Sequence, residues 1–148
     1  MDFRDDFMVG CCVNIDFLWP MENINGLSPN DSSVSLIITY KNFDVLLSGD
    51  LSKEYEEEML INYKRKIEVQ KAGHHGSKTS TSEKVLELLR PDVLVFSVGQ
   101  DNSFGHPNQE ILDLAESRDL IVYRTDKQGC ISVSSDGSKY NVTTEFEK

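Results

Sequence analysis

Apolar and polar positions alternate at the start of Val13–Trp19 (Val-Asn-Ile-Asp-Phe-Leu-Trp), which predicts a strand closed by Pro20. Residues 21–32, rich in Asn, Ser, Pro, Asp and Gly, read as a loop. Val34–Tyr40 and Phe43–Ser48 are two β-rich runs, and Lys41-Asn42 between them gives the spacing of a tight hairpin. The second run ends in Gly49-Asp50, and from there the period changes. A helix is expected from about Ser52 to Tyr63, with Ser52 as N-cap, an apolar face of Tyr55, Met59 and Leu60, and acids in its first turns where the dipole favours them. Ile67–Lys71 reads as a short strand and Ser82–Arg90 as a second helix, burying Val85, Leu88 and Leu89 before Pro91. Val93–Val98 is apolar enough for a strand covered on both faces. Residues 99–107 form a loop closed by Pro107, ahead of a third helix at Asn108–Ser117. Leu120–Arg124 is a further strand, and Ile131–Val133 with Tyr140–Thr144 a closing hairpin around Asp136-Gly137. Strands alternating with helices behind antiparallel hairpins predict a single layered α/β domain over residues 1–148 with a mixed sheet.

Composition narrows the class. A chain of 148 residues with 27% charged residues, 7 Phe and 5 Tyr is a folded domain rather than a disordered acidic tail. A net charge of −10 argues against coating nucleic acid or an anionic membrane through bulk charge. The charge is uneven, however: in residues 64–78, Lys64, Arg65, Lys66, Lys71 and Lys78 face Glu68 alone. Lys64–Lys66 read either as a helix end complementing its dipole or as part of a functional basic window. Three His and three Cys exclude a disulfide framework and a zinc ribbon. Cys11 and Cys12 are adjacent, hence poor co-ligands on a strand, and with Cys130 they are expected to be buried thiols. No run approaches the ~20 apolar residues of a membrane span. The acidic N-terminus lacks the basic and apolar regions of a signal peptide.

The chemistry-bearing residues gather in three loops that follow strands, where ligands collect in open α/β sheets. Asp50 beside Gly49 offers two carboxylate oxygens to cations with room for close approach; the alternative is a cap on the next helix through the Ser52 or Lys53 N–H. His74-His75 lie between Gly73 and Gly76, ahead of Ser77, as an open turn suited to metal ligation or proton transfer. His106, before Pro107, is a third imidazole or a cap on the third helix.

Taken together, these segments resemble a known family. Asn30-Asp-Ser-Ser-Val-Ser-Leu, Leu46-Leu-Ser-Gly-Asp50, Lys71-Ala-Gly-His-His-Gly-Ser77, Phe96-Ser-Val-Gly, Asn102-Ser-Phe-Gly-His-Pro107 and Val122-Tyr-Arg-Thr-Asp126 look like the metallo-β-lactamase-like domain of ComEC-type DNA-uptake proteins. The resemblance covers roughly residues 13–135. It implies an αββα sandwich whose dinuclear site, zinc or manganese, activates water against phosphodiesters, in a protein anchored in the bacterial membrane. Carried over, Asp50 matches the metal-bridging carboxylate, and His74 and His106 are candidate metal ligands. His75 and Ser77 stand nearer the substrate as candidate catalytic groups, and Lys71 and Lys78 as contacts to an anionic backbone.

One departure is large. The family's His-x-His-x-Asp-His motif is absent from this chain, and Asp50 with the three His cannot clamp two metals. The expected picture is the C-terminal part of such a domain, with metal weak or absent in this chain alone. A missing half-domain, a second chain or a second copy would cover the apolar sheet face left open, and DNA would bind only to the completed domain. A non-catalytic interaction module and a small-molecule metallohydrolase are the alternatives, since the fold does not fix the substrate.

Overall fold

The computed structural model describes residues 7–21, 24–63 and 65–146. Seven strands form one mixed sheet in sequential order: β1 (Phe7–Val9), β2 (Val13–Trp19), β3 (Ser35–Tyr40), β4 (Phe43–Leu47), β5 (Val69–Lys71), β6 (Val93–Phe96) and β7 (Ile121–Arg124). The first four are an antiparallel meander and β4–β7 are parallel. Helices α1 (Lys53–Leu60), α2 (Glu83–Leu89) and α3 (Gln109–Ser117) connect the parallel strands. The parallel strands advance in one direction through crossovers of one hand, which places all three helices on one face. There Ile37, Leu46, Met59, Leu60, Val85 and Leu89 form one core cluster, and Leu94, Phe96, Ile111 and Ala115 another. A short helix α4 (Thr125–Gln128) and a separate hairpin, β8 (Ile131–Ser135) with β9 (Tyr140–Thr144), complete the described chain.

The α/β architecture and mixed sheet agree with the pattern of the sequence. The element ends differ, each for a tertiary reason. The first helix stops at Leu60 rather than Tyr63, because the chain turns so that Arg65 reaches the buried Asp44 carboxylate at 2.7 Å. Ile67 is fully buried but gives its N–H to Leu89 O, so β5 begins at Val69. The sixth strand ends at Phe96 because Val98 is held by the Thr125 hydroxyl, which accepts from its N–H and donates to its carbonyl. β1 and α4 are too short to show a period.

The cysteines correct an expectation: Cys11, Cys12 and Cys130 are all exposed. The first two lie in the turn between β1 and β2 and the third just before β8, so none reaches a core position. The basic window also divides. Arg65 pairs with Asp44 and Lys66 with Asp92 (2.6 Å), both near the starts of parallel strands, and neither lies in the last turn of α1. Lys64 lies outside the described residues. Only Lys71 and Lys78 stand at the other end, where the parallel strands finish.

Candidate functional site

Asp50, His74, His75 and His106 sit on the loops after β4, β5 and β6, and the fold brings them together. The His74 and His106 rings are 5.7 Å apart, the His74 and His75 rings 6.4 Å, and His75 Nε2 is 3.5 Å from Asp50 Oδ1. A tight, non-helical turn over Gly73–Gly76 carries the histidine pair, with both His in the left-handed region (φ 45° and 58°). Such backbone is costly for a β-carbon-bearing residue and persists only when its surroundings over-determine it. Here they do. His74 N–H donates to Gly49 O, Ser77 N–H to His74 O, and Asn108 N–H to Gly76 O. Gly76 (φ +85°) admits nothing larger, since a β-carbon would lie 2.5 Å from the Phe96 ring and 2.7 Å from Pro107.

Behind this turn lies a buried carboxylate that the sequence pattern hides. Glu56 accepts from Ser48 Oγ (2.6 Å) and from Thr81 N–H (2.6 Å), while Thr81 Oγ1 accepts from Gly73 N–H. Glu56 thereby ties the end of β4, helix α1 and the histidine turn together. Burial pushes its carboxyl up to about 7, against the pull of Ser48, Thr81 and the Lys71 charge. Its signal in the sequence was its spacing of three and four residues from Met59 and Leu60, which puts it on the inward face rather than among the dipole-facing acids.

The cap alternative for Asp50 does not hold. Ser52 N–H goes to Asp31 Oδ1 and Lys53 N–H to Thr79 O; Ser52 occupies the N-cap position without a side-chain cap bond. Burial raises Asp31, but bonds from Ser28 and Ser52 outweigh it and hold its carboxyl low. Asp50 is left directed at His75. The space at Gly49 is taken by Ser33, whose Cβ would lie 2.8 Å from an added β-carbon, so that glycine makes room for the protein itself. His106 does not cap α3 either, since Asn108 holds that position.

The tautomer of His75 follows from its partner. Nδ1 is 2.6 Å from Ser97 O, and a carbonyl only accepts, so Nδ1 carries a proton; in the neutral ring the lone pair is then at Nε2. That lone pair faces a carboxylate oxygen, also an acceptor. A proton or a cation between them is what such a pair requires. His106 Nδ1 is buried without a partner; burial, then repulsion from the neighbouring His74 and His75 rings, lowers its pKa against Asp50's opposite pull. His74 Nδ1 makes only a long contact to Thr79 Oγ1 (3.4 Å).

The other sequence candidates are placed less openly. Ser77 is buried and its hydroxyl bonds Thr79 Oγ1 at 2.9 Å. Lys71 is largely buried and donates to Ala72 O; burial lowers its pKa against the pull of Asp50 and Glu56. Lys78 is exposed, with its N–H on Asn108 Oδ1. Asn102 has a role that its place in the motif does not reveal. It accepts from His106 N–H and donates to His106 O and Gly99 O, closing the loop on itself.

The donor types and the orphaned His106 nitrogen suit a divalent metal, but the set is incomplete: among the described residues no group of three or more His, Cys, Asp or Glu side chains converges to hold an ion. On this fold and this cluster of strand-end donors, the chain belongs to the metallo-β-lactamase superfamily, whose model matches residues 26–100. Within that superfamily its relatives identify the ComEC-type domain of competence proteins. It is 39% identical to ComE operon protein 3 of Bacillus subtilis over 70% of this chain, and 31% identical to Recombination protein 2 of Haemophilus influenzae over 90%. It is also 31% identical to Competence protein ComA of Neisseria gonorrhoeae over 80%. The chain spans only 14%, 18% and 17% of those relatives' lengths. A solved structure from Parabacteroides distasonis, provisionally described as a metal-dependent hydrolase, superposes with a TM-score of 0.54 at 15% identity, covering 85% of this chain and 56% of that one. That likeness shows the fold alone. No described helix is long and apolar enough to cross a membrane.

Proposed function

We propose that this chain supplies one part of a divalent-metal-dependent phosphodiesterase centre acting on DNA in an uptake system, with zinc or manganese as the ion. The remaining donors come from a His-x-His-x-Asp-His segment outside this chain. The observation that carries the reading is His75 Nε2 facing Asp50 Oδ1 at 3.5 Å, with Nδ1 held to Ser97 O so that Nε2 is the ring atom left to meet a proton or a cation. His74 and His106 extend the donor edge, and Glu56 holds the turn that presents it. Ser77, engaged with Thr79, serves to shape the turn, and Lys78 is an exposed cation at the strand ends placed to meet a phosphate backbone. A bound metal would supply charge to activate water and to neutralise the phosphate. What this chain's residues do is orient: Ser97 O sets the His75 ring, while Gly49 O, Ser33 Oγ and Asn102 Oδ1 hold the main-chain N–H groups of His74, Asp50 and His106 before any ligand arrives.

Reconstitution tests this. Alone, the chain should bind divalent metal weakly or below one ion per chain and leave DNA intact. Mixed with a polypeptide carrying the missing motif, it should take up metal and cleave phosphodiesters. Asp50→Asn, His75→Ala or His74→Ala should each remove that gain. Tight binding of two ions with DNA turnover by this chain alone, or a gain surviving all three substitutions, would overturn the reading. The interaction-module alternative is favoured by an apolar strip over β1–β3, where Phe7 and Val9 are exposed and Ile15 and Ile38 half-buried, and it predicts association with the added polypeptide but no metal uptake.

A further inference from the structure

Phe104 stands out among the exposed apolar side chains. It is 79% exposed, the most of any large hydrophobic residue described, yet it is not on a slack loop. Asn102 braces the segment through three hydrogen bonds, Asn108 Nδ2 bonds Gly105 O at 3.2 Å, and Phe104 stacks on His106 with ring centroids 6.0 Å apart and planes 17° from parallel. A single exposed hydrophobic residue is ordinary. One held in a fixed orientation, backed by an imidazole of the donor cluster, is a prepared flat surface. Phe104 also lines a cleft of about 370 Å³ together with His75, His106, Val98, Gly99 and Asn102. That volume falls in the range of small-molecule clefts, and a β-carbon at Gly99 would meet nothing within 4 Å, so the floor is open. Its lining thus joins an exposed aromatic face, Phe104 on His106, to His75 of the donor edge.

We infer that Phe104 is a stacking platform for an unpaired nucleobase, holding a single-stranded polynucleotide so that the adjoining phosphate lies against the Asp50–His75–His106 edge. The inference rests on the phosphodiesterase reading for its ligand class and adds the strand state and the residue that selects it. Stacking needs a free base face, which a duplex does not offer, and it tolerates any base because each has a π-face. The negative charge of this chain is compatible with that division: the base, rather than a broad basic surface, supplies the contact.

The test separates binding from cleavage. Trp19 is the single tryptophan and is buried, so Phe104→Trp adds one exposed indole as a reporter. In chelator, single-stranded oligothymidylate should quench that indole saturably, while an abasic backbone of the same length and the thymidylate paired in a duplex should not. Phe104→Ala should weaken single-strand binding by about 5- to 150-fold, the range for one stacked base, and abolish the preference over the abasic strand; Phe104→Trp should keep both. Equal binding by Phe104→Ala, equal binding of the abasic strand, or no quenching by any single strand would each overturn the inference. Base-dependent quenching without cleavage in the reconstituted protein would leave the platform standing and remove the hydrolase reading. Cleavage with an unchanged KM in Phe104→Ala would do the reverse.

Discussion

Glu56 is the residue whose chemistry most exceeds its place in the sequence. Its carboxyl ionises near 4.5 in an unfolded chain and is raised to about 7 in the fold, mainly by burial. Between those values the folded protein keeps a proton that the unfolded chain has released. Stability from this group is therefore greatest below about pH 4.5, falls as the pH rises, and has lost roughly 3 kcal/mol by pH 7. Glu56→Gln keeps the geometry available, since its amide oxygen can accept from Thr81 N–H while its amide N–H donates to Ser48 Oγ. The variant's stability relative to wild type should rise steadily from pH 5 to pH 7.5, read as the difference in urea midpoints. Parallel curves would mean that Glu56 is not buried as a proton-sharing acid. At the same scale His75 makes a spectroscopic expectation: imidazole nitrogen shifts should show the proton on Nδ1, as the bond to Ser97 O demands.

The elements that matter are the three strand-end loops, and the turn over Gly73–Gly76 is the most constrained of them. Gly76→Ala would meet Phe96 and Pro107 within 2.7 Å at a φ of +85°, combining overpacking with backbone strain. A loss of about 2–5 kcal/mol is expected, measurable as a lowered thermal midpoint, together with loss of the His75 Nδ1–H signature as the turn lifts from Ser97. This turn also shows what a sequence can reveal. Gly-His-His-Gly after a β-rich run marks an open turn with ligand-type side chains, and the apolar runs of β3, β4 and β6 mark the sheet that holds it. The partners that decide the chemistry are not local. Ser97 O is freed for His75 because Thr125, 28 residues on, captures Val98. Asp50 is free because Asp31, from the loop before β3, takes the Ser52 N–H that Asp50 was expected to cap. Neither exchange leaves a periodic trace. Arg65 and Lys66 read as a basic approach to the site and turn out to neutralise carboxylates at the opposite strand ends, because charge counts carry no direction along a sheet.

On the scale of the molecule, the sheet has one covered face and one that is only half covered. Phe7, Ile15, Ile38, Val45, Val69, Val93 and Ile121 stand in a single row across all seven strands, on the face away from α1–α3. The β8–β9 hairpin, through Tyr140 and Val142, buries Val69 and Val93 with Phe43. Over β1–β3 nothing described lies on this row: Phe7 is 60% exposed and Val9, on the same face, 48%. A contiguous apolar strip beside an edge strand is an association surface. The donor loops lie at the ends of β4, β5 and β6, in the same sheet as this strip. Under the proposed function, this strip is where a polypeptide carrying further donors would seat. Sedimentation should show concentration-dependent self-association of the wild type, which Phe7→Lys combined with Ile38→Thr reduces without changing the far-ultraviolet dichroism. The polypeptide carrying the histidine motif should compete with self-association and fail to bind the double variant. A wild type monomeric at every concentration, or a double variant that still gains metal on mixing, would show that the strip is not where the site is completed.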